Sequence, residues 1–282
     1  MRNVAVRNGV IAGNTVVTVT GTAPNQTWNV AAAGCNSGIN AVTARQCSYS
    51  SLRIFGCRIA GIQAGSHPAV DGVTAAENGF TGINVSTYGR IANCIANTNG
   101  GIGIKNDSGT IVNCLASLNG DTGIDGTDSV IANSNATGNG DDGINAGSGS
   151  VTNCFAGTND GIGITGNSVA NSVARGNART GIECNGGSVA NCTAISNGEV
   201  GIVASPGSVI NSVASGNEIT GITALFGVVS HSFTYLNGSH GINVQSGTVD
   251  FCKSYQNNRN GGSGVDINSP GGTVRMGNNP AP

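Results

Sequence analysis

Carboxylates are the residues of this 282-residue chain whose type and spacing first suggest chemistry. Between residues 91 and 174 stand Asp107, Asp121, Asp125, Asp128, Asp141, Asp142 and Asp160, with Lys105 the one cation among them. Glycoside hydrolysis needs two carboxyl groups about 5–9 Å apart. Asp125 with Asp107 or Asp128 could meet that distance, as could Asp121 with Asp141 and Asp142. Asp121 and Asp141 share one position of a repeat, so they stack with Asp142 beside them, and like charges that close repel unless a cation or water screens them. Calcium takes six to eight oxygens, and Asp121, Asp125, Asp141 and Asp142 with turn carbonyls could supply them. A solvated acidic turn that holds no cofactor is the alternative. Tyr235 and Tyr255 occupy one outward position in successive repeats. Aromatics stacked there can grip a sugar ring or a neighbouring subunit, or stiffen the last repeats.

What must position these groups is legible in "NGDTGIDGTDSVIANSNATGNGDDGI", residues 119–144, which says nearly the same thing twice. A Gly-Ile pair recurs at Ile39, Ile62, Ile83, Ile104, Ile124, Ile144, Ile164, Ile182, Ile202, Ile222 and Ile242, with Val265 as the last variant. A second apolar register, Val70, Ile91, Ile111, Ile131, Val151, Val169, Val189, Val209 and Val229, runs thirteen residues ahead of it. Apolar positions alternating with period two predict short strands rather than helix. A unit of about 20 residues cannot bury its own apolar face, so each strand must pair with its copy in the next coil. Because every coil runs the same way, the pairing is parallel. Single-letter repetition therefore predicts about twelve stacked coils in one domain spanning 1–282. Irregular coils occupy 1–60, regular coils 61–268, and a strand with a tail 269–282.

Asn93, Asn113, Asn133, Asn153, Asn171, Asn191 and Asn211 form a structural column where the chain bends between strands, because asparagine tolerates the left-handed backbone region. A second column (Asn78, Asn99, Asn119, Asn139, Asn159, Asn177, Asn197, Asn217, Asn237) precedes the turn into Gly-Ile, and stacked amides can hydrogen-bond to one another. Cys94, Cys114, Cys154, Cys192 and Cys252 share a position with Ser134, Ser172, Ser212 and Ser232. That interchange fits a small interior slot rather than a disulfide framework. Cys35, Cys47 and Cys57, in the less regular coils, are the better candidates for disulfides.

Repeats such as "GTIVNCLASLNGDTGI" and "GSVANCTAISNGEVGI" resemble those of the right-handed parallel β-helix proteins of the pectin-lyase-like group, over roughly residues 30–268. The resemblance implies a right-handed, single-stranded parallel β-helix. It also implies several functions, because the group holds pectin-degrading lyases and hydrolases, phage tailspikes and adhesins. Of the marks it implies for a hydrolase, Asp141-Asp142 matches an Asp pair, while the one similar histidine, His240, lies about 24 Å of coils away. No Arg-x-Lys is present.

Composition limits the rest. Charged residues make up 9% and the net charge is −2, with no basic stripe, so nucleic acid is not an expected partner. No apolar run reaches the length of a membrane span. Val4 and Val6 begin a strand at one end, and Val274 and Met276 finish one at the other. Edges left uncovered there would pair head to tail with another copy of the chain. The sequence thus predicts an extracellular structural or adhesive β-solenoid whose partner is itself or a polysaccharide. The alternative is a lyase or hydrolase acting on an acidic glycan. "QAGSHPAVDG" (63–72) and "SYQNNRNGGSG" (254–264) are the segments irregular enough to make contacts.

Overall fold

The computed structural model describes residues 5–13, 16–22, 25–31, 36–270, 274–276 and 279–280, and the side chains of 5–13 and 36–270. Strands and turns account for all of it, with no helix among the described residues. The chain divides into two compact units, 1–149 and 150–282. The parallel β-helix expected from the repeat is the fold, with about eleven turns of about 20 residues. Residues 16–22 and 25–31 pair as an antiparallel hairpin in a separate two-stranded sheet. No helix of the described residues is long and apolar enough to cross a membrane.

Within each unit the copies fall into strict register on three faces. In the first unit Val70, Ile91, Ile111 and Ile131 align on one face. Ala75, Ala96, Ala116 and Ala136 align on the second, and Ile83, Ile104, Ile124 and Ile144 on the third. The second unit repeats this with Val151 to Val249, Ala156 to Ser254, and Ile164 to Ile267. The isoleucines, valines and alanines of these columns are buried. Coils too small to hold a core alone thereby share one along each unit.

The inner asparagine column carries the tightest polar structure. Asn119 donates its amide Nδ2 to the Ala96 carbonyl (3.1 Å) and to Asn139 Oδ1 (3.0 Å). Its own Oδ1 accepts Nδ2 (2.9 Å) and the backbone N–H (3.1 Å) of Asn99. Two donors and two lone pairs are all a carboxamide has, and all four are used. The Gly of each Gly-Ile pair makes room for this: a Cβ on Gly103 would lie 2.6 Å from Asn119 Nδ2 and 2.6 Å from the Gly123 carbonyl oxygen. In the second unit the ladder extends one step past the expected column, to Asn257. There Nδ2 (2.7 Å) and the backbone N–H (3.1 Å) both donate to Asp266 Oδ1.

That closure corrects the register of the last coil. Ile267, not Val265, pairs with Ile242, and Asn268, not Asp266, pairs with Asn243. Val265 is 47% exposed. Residues 256–266 fold back on earlier turns, where Arg259 pairs with Glu218 (2.6 Å) and the Val265 N–H donates to His240 Nδ1 (3.0 Å). Of the expected assembly ends, Val4 lies outside the described residues. Val6 stands opposite Tyr49, and Val274 and Met276 stand opposite Thr248 and Asp250. These placements lend no support to end-to-end pairing.

All eight described cysteines are buried thiols. Cys47 and Cys57, expected as disulfide candidates, are not bonded to each other, and Cys35 lies outside the described residues. Cysteine and serine interchange because both do one job. Cys192 Sγ donates to the Ala190 carbonyl (3.2 Å), as Ser212 Oγ does to Ile210 (2.9 Å). The hydroxyl also accepts the Cys192 N–H (3.2 Å). Burial pushes the Cys192 thiol up to about 11. Cys94 and Cys114 hydrogen-bond to each other, which moves Cys94 upward and Cys114 downward.

Candidate functional site

The acidic candidates stand on outward strand and turn positions of neighbouring coils. Asp125 stands outward beside the buried Ile124, and Lys105 stands outward beside Ile104 in the coil before it. The ammonium lies 2.9 Å from Asp125 Oδ2 and 3.9 Å from Asp107 Oδ1. Its bond to Asp125 raises the Lys105 pKa, against a smaller lowering by desolvation. A carboxylate paired this closely is partly neutralised and poorly placed to serve as a nucleophile. Asp121 is exposed, and its Oδ1 accepts the N–H of Thr122 (2.7 Å), which fastens its own turn. Asp141 is exposed and Asp142 half-buried, and the Asp142 main-chain carbonyl accepts the Gly123 N–H (2.9 Å). No group of three or more His, Cys, Asp or Glu among the described residues is placed to hold a metal ion.

A different place in the first unit brings chemically distinct groups together. His67, Tyr88 and Ser108 are successive copies of one turn position, all at positive φ (57°, 54° and 55°). Two residues further on, Ala69, Arg90 and Thr110 align on the adjoining strand. Between turn and strand runs an open groove of about 460 Å³, lined by His67, Pro68, Tyr88, Arg90, Ser108 and Thr110 among others. The His67 and Tyr88 rings pack at 5.2 Å between centroids with their planes 30° apart, and Tyr88 is 59% exposed. A bulky residue in the left-handed region costs of order 1–3 kcal/mol. At the same turn Asp128 and Gly147 follow, types that adopt that backbone more easily. An imidazole, a phenol and a guanidinium thus share one open groove, His67 from the irregular segment 63–72 and Tyr88 and Arg90 from the next coil.

Tyr235 and Tyr255 stand in register, as expected, with ring centroids 4.8 Å apart. Sequence reading missed their neighbours. Phe233 lies 5.3 Å from Tyr255 and 6.5 Å from Tyr235, and a His231–Phe251 pair lies at 5.2 Å. The available signal was alternation: residues 233 and 235 share one side of a strand and 253 and 255 the same side of the next, while 231 and 251 hold the turn just before each.

Asn93, Asn113, Asn133, Asn153, Asn171, Asn191 and Asn211 are exposed, with φ between 50° and 54°.

No family model matches the chain, and no curated protein matches it. Among solved structures it is similar to the A-module of a mannuronan C-5 epimerase of Azotobacter vinelandii. The identity is 13% and the TM-score 0.48, covering 83% of this chain and 72% of that one. A protein of Geobacillus virus E2 is 12% identical with a TM-score of 0.48, over 93% of this chain and 56% of that one. The catalytic unit of an α-1,3-glucanase of Streptomyces thermodiastaticus is 10% identical with a TM-score of 0.45, over 87% and 62%. These are likenesses of fold alone.

Proposed function

We propose that the chain engages an acidic polysaccharide along the outer surface of its coils. The observation that carries this reading is the groove in which Arg90, Tyr88 and His67 stand together. A guanidinium meets a carboxylate through two parallel N–H bonds, the geometry a uronic acid presents. Phenol and imidazole rings pack against the C–H face of a pyranose while their polar edges meet its hydroxyls. The groove is open, so an extended chain can lie through it where a small ligand would find little enclosure. Such a partner belongs outside the cell, and binding without turnover would make the protein adhesive.

His67 favours a second reading, in which the glycan is also processed. An imidazole is well suited to take a proton at neutral pH. Here it faces the groove in which Arg90 would hold the carboxylate of the same sugar.

Retardation of the full chain in gels cast with polygalacturonate or alginate tests the binding. The expected result is retardation by an acidic glycan, with about a tenfold loss of affinity in Arg90→Ala, the size of a charge-assisted hydrogen bond. A wild type that passes both gels unretarded, or an Arg90→Ala variant retarded equally, would defeat the proposal. Ultraviolet absorbance of unsaturated sugar ends, lost in His67→Ala, would separate processing from adhesion.

A further inference from the structure

Two coils of the second unit carry a surface that the coils before them lack. His231, Phe233 and Tyr235 alternate with the buried Ser232 and Thr234, so all three stand on the outer side. One coil on, Phe251, Lys253 and Tyr255 alternate with the buried Cys252 and Ser254. Phe233 is in register with Lys253, and Tyr235 with Tyr255. The preceding coils place Asn211, Val213 and Ser215, then Asn191, Thr193 and Ile195, at these positions. Five rings and one ammonium are therefore confined to two adjacent coils.

The cost of placing them there is visible. Phe251 is 58% exposed, and His231 and Phe251 hold φ values of 49° and 47° where seven asparagines hold the same turn. A ring in the left-handed region is strained by about 1–3 kcal/mol, and one more than half exposed recovers little of that by burial. Folding alone gives no reason to replace asparagine here.

We infer that this surface is a sugar-binding subsite. Phe233 and Tyr235 lie two residues apart on one strand, about 7 Å at roughly 3.3 Å per residue, with ring centroids 6.5 Å apart, roughly the length of one sugar unit, and His231 stands at the turn just before them. Phe233 and Tyr235, with ring planes 21° apart, offer faces to the C–H faces of the sugars, Tyr255 braces both from the next coil at 66° and 53°, and His231 offers a polar edge. Lys253, exposed beside Phe233, meets a carboxylate or sulfate of the same chain. An ammonium at the centre of the patch suits a hydrated, anionic glycan and not the dry core of a contact between copies. The acidic character of the glycan rests on the function proposed above; the stacking does not.

Calorimetric titration of the full chain with oligogalacturonate and with neutral xylan oligosaccharides provides the test. Tyr235→Ala with Tyr255→Ala is expected to lower affinity at least tenfold. The matching pair of Phe substitutions should bind like wild type, and Lys253→Gln should weaken only the acidic ligand. Phe251→Ser, at an exposed position, should lower affinity several-fold and serves as the second variant should the alanine pair fail to fold. A folded alanine pair that binds like wild type overturns the inference, as does a wild type that binds neither ligand. Binding of the neutral ligand alone, abolished by the alanine pair, upholds the subsite while sinking the acidic reading. A concentration-dependent dimer that the alanine pair dissolves, with no sugar bound, identifies the patch as a contact between copies and overturns the subsite.

Discussion

Two columns of asparagine run through each unit, one inside and one outside, and they differ in nearly every physical respect. Asn99 and Asn119 in the first unit, like Asn197 and Asn217 in the second, are wholly buried, and each amide bonds to the next at 2.9–3.0 Å. Asn93 and Asn113, or Asn171 and Asn191, are exposed and joined side chain to side chain at 3.2 Å. The inner residue is chosen for its four hydrogen-bonding sites, the outer one for its backbone. A buried carboxamide with four partners is matched in donors and acceptors only by glutamine, whose extra methylene would overreach the ladder. A turn that needs only positive φ admits several residue types. The inner column accordingly keeps its asparagine from Asn78 to Asn139 and from Asn159 to Asn257. The outer column gives way to Gly72 at one end and to His231 and Phe251 at the other. Fold is encoded inside, and the outer turns are left open to other uses.

The largest effect should follow from Asn119→Ala. Its removal strands the N–H and Nδ2 of Asn99 and the carbonyl of Ala96 in a dry interior, and each such group costs about 1–3 kcal/mol. A loss of roughly 3–6 kcal/mol in urea unfolding is expected, or an unfolded first unit. A loss below about 1 kcal/mol would mean that water reaches the ladder and that the inner column is no more demanding than the outer.

A middle-sized effect should appear at Asn113, where φ is +54°. Asn113→Ala places a residue with no local polar compensation in the left-handed region, at a cost of about 1–2 kcal/mol. Asn113→Gly removes the steric problem and should be nearly neutral. If both variants lose stability equally, the 3.2 Å amide contact with Asn93 matters and the backbone explanation fails.

Period and strand pattern made most of this architecture legible. Cysteine exchanging with serine revealed the inward slot at 94, 114, 154 and 192, because only a small buried group with one polar hydrogen suits both. The last coil was misread since "SGVDIN" offers two apolar residues two apart. Both satisfy alternation, and only the capture of Asn257 by Asp266 selects Ile267. The acids drew attention by number, yet pairing and turn-making occupy Asp125 and Asp121. Tyr88 and Arg90 escaped notice, though His67 lies in the irregular segment 63–72, because a groove lined by unlike residues on neighbouring coils leaves no periodic trace. Repetition reports what every coil must do, and a binding surface is where coils differ.

The smallest effect concerns the outer polar pair of Lys105 and Asp125. Side-chain exposures of 34% and 13% place it near the surface, where ion pairs contribute about 0–1 kcal/mol. Asp125→Asn should therefore cost less than about 1 kcal/mol at neutral pH. Its pH dependence is the sharper reading. The bond to Asp125 raises the lysine pKa in the folded state, so the folded state holds its proton more tightly than the unfolded chain. The lysine's contribution is fully present below the unfolded value of about 10.4 and disappears as pH rises through the folded value. The stability gap between wild type and Asp125→Asn should thus stay level through neutral pH and close only under strongly alkaline conditions. A gap of about 2 kcal/mol or more, approaching the roughly 3–5 kcal/mol of a broken buried pair, or one that closes near neutrality, would show that the outer face carries polar structure as binding on the fold as the inner amide ladder.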